Sequence, residues 1–246
     1  MIRRMLSTSL TLSIVCATLT ACGEQATPET DTASSEYPRE VLAAHMKDHF
    51  FKATQMQVAV INADLDALRE PANWMAKHAN SAAMPEAWSP HAEAMHAAAM
   101  RAAEAPDLET AATATATMAT ECGNCHQALG AEVGFAVDEA PAAGEDASSH
   151  MKRHAWASGR LWEGMIMPSG VVWDGGAEVL SEAPLAPAQI SASIEVLAEV
   201  SALEESVHAL GAEAVGLTEQ AARARTYGAF LTTCAACHEK TGRGKI

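Results

Sequence analysis

The chain carries one five-residue pattern twice, Cys122-Gly123-Asn124-Cys125-His126 and Cys234-Ala235-Ala236-Cys237-His238, about a hundred residues apart. Two thiols followed directly by an imidazole form the attachment site of a c-type haem. The thiols add across the two vinyl groups of the porphyrin, and the histidine lies under the ring as the proximal iron ligand. A fold built around two such motifs must offer two flat, mostly apolar cavities. The expected cofactors are therefore two covalently bound haem c groups, one on Cys122, Cys125 and His126 and one on Cys234, Cys237 and His238. A zinc or thioredoxin-like use of the cysteine pairs leaves the trailing histidines without a reason.

The motifs belong to a longer repeat. His45-Met46-Lys47-Asp48-His49-Phe50 matches His150-Met151-Lys152-Arg153-His154-Ala155, and each hexapeptide precedes one Cys-x-x-Cys-His, by 77 residues in the first half and 84 in the second. Each half is long enough for a small domain with its own core. The expected organisation is haem domain 1 over 37–133, an Ala/Gly/Pro-rich linker over 134–146, and haem domain 2 over 147–246.

Both halves read as helical. Alanine is abundant, aromatic residues make up 4% of the chain, and no period-two pattern is sustained. In the first half a long helix is expected from Pro38 to Leu68, with an apolar seam of Leu42, Met46, His49, Ala53, Met56 and Val60. Pro71 is expected to open a second helix, through about Ser81. A third is expected over His91 to Glu104. A fourth starts at Pro106 and carries Cys122, Cys125 and His126 near its end. The second half follows with helices over Ser148 to Met167, a short or displaced one near Trp173, one over Pro187 to Leu210, and one over Leu217 to Lys240. The fold class is thus all-α, with two tandem four-helix bundles, each ending in a haem motif.

The ends and the charge set the compartment. Arg3 and Arg4 precede an apolar stretch from Leu6 to Leu19 that is too short to span a bilayer. It ends in Leu19-Thr20-Ala21-Cys22, which resembles a bacterial lipoprotein cleavage box. The resemblance implies a signal peptide over 1–21, lipid on Cys22 and a flexible tether over 22–36. Cys16 goes with the signal, so the four remaining cysteines are all haem cysteines and none is left for a disulfide. The expected location is the periplasmic side of a bacterial membrane. Gly23 stands where an aspartate retains some lipoproteins at the inner membrane, which favours the outer one. The chain has 16 Lys+Arg against 31 Asp+Glu, and loss of Arg3 and Arg4 with the signal leaves −17. Such a surface disfavours nucleic acid and suits a basic redox protein as partner.

Helix count and the motif's place near the end of each half resemble cytochrome c′ and its low-spin relatives, as does the approach Tyr227-Gly228-Ala229-Phe230-Leu231-Thr232-Thr233-Cys234. The resemblance covers roughly 37–133 and 147–246. It implies that helix one passes over the distal haem face, and it leaves a homodimer open. The sixth ligand then separates electron carriers from gas binders. His49 and His154 are the preferred distal ligands and Met46 and Met151 the alternative pair. Core packing against the ring also accounts for the methionines. His78, His91, His96 and His208 read as solvated helix residues, Phe50 and Phe51 as a shield for the first haem, and the five tryptophans as packing. No nucleophile triad, phosphate loop or paired catalytic carboxylates is found, so the chain does not read as an enzyme. The expected function is a lipid-anchored dihaem c-type cytochrome that transfers electrons outside the cytoplasm. The alternative is a cytochrome c′-like protein that binds nitric oxide or carbon monoxide.

Overall fold

The computed structural model describes residues 39–78, 86–136, 138–190 and 192–242. The expected signal peptide, Cys22 and the tether lie outside these residues. The chain divides after Glu36, and the unit from Tyr37 onward holds every described residue.

The described residues are all-helical. Eight α-helices follow in order: α1 Arg39–Ile61, α2 Leu65–His78, α3 Ser89–Ala103, α4 Leu108–Ala128, α5 Ala147–Ile166, α6 Gly170–Leu180, α7 Leu197–Ala214 and α8 Gln220–Thr241. Single 3₁₀ turns precede α3 and α7. No helix among them is long and apolar enough to cross a membrane.

The expected first helix is two helices, because a Schellman turn ends α1 at Ile61. Asp64 N–H bonds to Ala59 C=O at 2.9 Å and Ala63 N–H to Val60 C=O at 2.9 Å, with Ala63 left-handed at φ 56°. Asp64 then caps α2 by accepting from Ala67 N–H at 2.8 Å. Pro71 consequently lies inside α2 rather than at its start. The third and fourth helices fall close to where they were expected. Asp107 caps α4 through Thr110 N–H at 2.8 Å, and Asp146 caps α5 through Ser148 N–H and Ser149 N–H, both at 3.0 Å. In the second half α7 starts later than expected, at Leu197, because the chain after Pro187 makes only one 3₁₀ turn.

Within the first half α1 packs on α2, α2 on α3, α3 on α4, and α4 on α1. Within the second, α5, α6, α7 and α8 pack in the same sequence, and α8 touches α5. The halves also pack on each other, through α4 on α8, α4 on α5 and α1 on α8. Helix α4 explains how. Ala111, Ala112, Ala114, Thr115, Ala116, Met118 and Ala119 are all buried, so small side chains cover nearly every side of it. Neighbours can then approach closely from several directions. A polar link crosses the same junction. Gln57 of α1 donates to Tyr227 Oη of α8 and to Ser158 Oγ of α5, and Tyr227 Oη donates to Ser158 C=O at 3.1 Å.

Candidate functional site

The His-Met-Lys-x-His repeat adopts one geometry in both halves. The rings of His45 and His49 lie 4.2 Å apart, as do those of His150 and His154. Within each pair the residues are four apart on one helix, so they stack one turn above each other. His49 is 7% exposed and His154 9%, and the Nε2 atoms of both are buried without a hydrogen-bond partner. Such an atom costs about 1–3 kcal/mol unless something outside the chain meets it. Burial, and then the nearby His45, His78 and His96, push the His49 imidazole down to about 4. Burial, and then His150, push His154 down to about 3. Both are therefore neutral at pH 7, the form in which an imidazole binds metal.

In the second half these residues face the haem motif. Met151 and His154 on α5 line a cavity of about 450 Å³ together with Cys234, Cys237 and His238 on α8. That size lies in the range of ligand and cofactor sites. Phe230, Val200, Leu185 and Ile190 add apolar wall. Gln57, Val58 and Ile61 also line it, and these belong to α1 of the first half.

In the first half His126 is oriented by a carbonyl of the second. His126 Nδ1 lies 2.8 Å from Ile166 C=O at the C-terminal end of α5. That carbonyl has no intrahelical partner, so it takes the Nδ1 proton and leaves Nε2 as the ligating nitrogen. Gly123 allows the approach, because a Cβ there would overlap Met165 C=O and Gln220. Burial, above all, pushes the thiols of Cys122 and Cys234 up to about 12.

Two expectations need correcting. Phe51 is 59% exposed, since a step of two residues turns it about 200° around α1 from buried His49. Phe50 packs on Phe135 instead, with ring centroids 4.8 Å apart. His208 is not solvated but 6% exposed. It lies on α7, with its Nε2 3.1 Å from Glu204 Oε1 and its ring 5.0 Å from His154. A signal for it existed in the sequence. His96 and His208 each stand 26 residues before the first cysteine of their motifs, so counting back from the motif pairs them. Trp74 meets His49 edge-on at 5.4 Å and stacks on His78 at 3.8 Å, while Trp162 and Trp173 are core residues. Searches of protein-family models, curated proteins and solved structures gave no match to this chain.

Proposed function

We propose that the chain is a dihaem c-type cytochrome that carries electrons between redox partners outside the cytoplasm, held at the membrane by lipid on Cys22. The observation that carries this reading is the second cavity, in which Cys234, Cys237 and His238 on α8 face His154, with its unpartnered Nε2, across a largely apolar space. The first motif and His49 repeat the same residue set. The order of helix contacts within each half supports two cytochrome c′-like four-helix bundles, each holding one haem c.

Haem supplies a reversible one-electron couple between Fe(III) and Fe(II). The chain does the rest. The cysteine pairs anchor the ring at two points. Ile166 C=O fixes the tautomer of His126. His49 and His154 would supply the second iron ligand of each haem, with Met46 and Met151 as the alternative pair. Helices packed through alanine keep both ligands in place when the charge changes, and apolar walls keep water from the ring. The acidic surface steers a basic partner, and no catalytic step is assigned.

The test is an optical spectrum of the haem-loaded protein, oxidised and reduced, with a haem count in alkaline pyridine. Two haems per chain with low-spin bands in both states are expected. A high-spin spectrum that shifts with carbon monoxide would sink the carrier reading and favour gas binding.

A further inference from the structure

A second donor cluster lies against the wall of the second cavity. His150 and His154 stand four residues apart on α5, and Glu204 and His208 four apart on facing α7. One ligand atom from each of the four lies within 4.8 Å of the others. Three of them converge more tightly. His150 Nε2 is 2.6 Å from Glu204 Oε1, His208 Nε2 is 3.1 Å from the same oxygen, and the two nitrogens are 3.3 Å apart. Two such pairs on facing helices are how bundle cores build metal sites.

We propose that His150, Glu204 and His208 bind a divalent transition-metal ion of the zinc class, leaving one coordination position open. Donor atoms on a tetrahedral zinc stand ~3.3 Å apart, given bonds of ~2.0–2.1 Å. Two of the three edges already have nearly that length, and only the His150–Glu204 edge must open. Two imidazoles and one carboxylate are a donor set that zinc and copper favour. Leu185 N–H donates to Glu204 Oε1 at 3.1 Å, which holds the carboxylate from behind.

The fold does not itself require the carboxylate. Glu204 is 7% exposed, and burying an ionised group costs several kcal/mol before its partners offset it. Ala92 stands at the same distance before its own motif in the first half and is buried there. The first half thus packs the equivalent position with a small apolar residue, and only the second half places a carboxylate there, held by His150, His208 and Leu185 N–H. The site uses this chain's own side chains and leaves His154 to the haem, so it stands or falls apart from the electron-transfer reading.

The test is zinc binding by the haem-loaded full chain, followed by calorimetry and by metal analysis after dialysis. One zinc per chain is expected. Glu204→Gln, His150→Asn and His208→Asn should each weaken binding at least tenfold, while His91→Asn on α3 leaves it unchanged. Copper(II) in the parent protein should give an electron paramagnetic resonance spectrum with coupling to two nitrogens, a readout that needs no variant. Three results would overturn the site: a parent that takes up no zinc, a His150→Asn/His208→Asn double variant of unchanged helicity that binds zinc as tightly as the parent, or a copper spectrum without nitrogen coupling. Conversion of one haem to high spin on adding zinc would show that the ion takes His154, and would overturn the three-ligand arrangement.

Discussion

Ala92 and Glu204 each stand thirty residues before a Cys-x-x-Cys-His motif, and the surroundings of His49 and His154 differ at that position. Around His49 the neighbours are His45, His78, His96 and Trp74, with no buried carboxylate among the described residues. Around His154 they are His150, His208 and Glu204. The same helices with the same paired histidines thus make one site of imidazoles and indole and another of imidazoles and a buried anion. The duplicated frame fixes where the histidines go. Single residues on the third helix of each half decide what surrounds them.

The largest expected effect that tests this contrast is acid. An unfolded histidine has its pKa near 6.5, and the folded values are about 4 for His49 and about 3 for His154. Folding therefore favours the neutral imidazole. The stability it adds is complete above about pH 6.5 and is lost as pH falls from there toward the folded values. The full shifts correspond to roughly 3 kcal/mol for His49 and roughly 5 kcal/mol for His154 as upper bounds, and iron ligation would act in the same direction, since protons compete for the same nitrogen. Urea midpoints should hold between pH 7.5 and about 6.5 and fall from there to pH 5. In a spectral titration the site of His49 should change at higher pH than the site of His154, because burial, the first cause in both, and then His150 push His154 lower even though Glu204 works in the opposite direction. The reverse order would show that the attraction of Glu204 outweighs that burial.

The next contrast lies inside the motifs. Gly123 and Ala235 hold the same position in the two pentapeptides, yet only the first needs glycine, because Met165 C=O and Gln220 sit against it. Ala235 is itself fully buried. Gly123→Ala forces α4 away from α5 and should cost about 1–3 kcal/mol, with loss of the His126–Ile166 bond and a shifted spectrum for the first haem alone. Ala235→Gly should cost about 1 kcal/mol or less. Equal losses, measured by urea unfolding, would mean that the motifs are packed alike.

The repeat explains what was legible in the sequence. The seam His49, Ala53, Met56 and Val60 is buried as its spacing predicts, since a 3.6-residue period needs no knowledge of the partner helix. The two Cys-x-x-Cys-His motifs stand out as candidate sites because their residues are adjacent along the chain. For His208 the sequence offers only the spacing to its motif that it shares with His96, which pairs the two residues but carries no sign of what faces them. Only α5, brought across by the fold, buries His208. The junction of α4 with α8 was equally hidden. An alanine-rich helix is compatible with solvent on one side or with neighbours on several, and alanine does not tell them apart. Gln57 and Ile166, each working in the other half, leave no pattern in the sequence for the same reason.

The turn after α1 was missed for a different cause, and it yields the smallest test. Asp64 N–H bonds to Ala59 C=O in the first half and Ser169 N–H to Gly164 C=O in the second. Asp64 and Ser169 then cap the helices that follow. The two turns share this frame, but neither shows the glycine that normally announces a helix end. Ala63 occupies the left-handed position, φ 56°, which costs a non-glycine residue roughly 1–2 kcal/mol. Glycine removes that cost and adds about 0.4–1 kcal/mol of unfolded-chain entropy. Ala63→Gly should therefore stabilise the protein by about 0.5–1 kcal/mol, seen as a higher urea midpoint with an unchanged slope and unaltered spectra of both haems. A lower midpoint would mean that α1 and α2 are held apart by contacts along their length rather than by the turn, and that the sequence expectation of one continuous helix was closer to the chain's own preference.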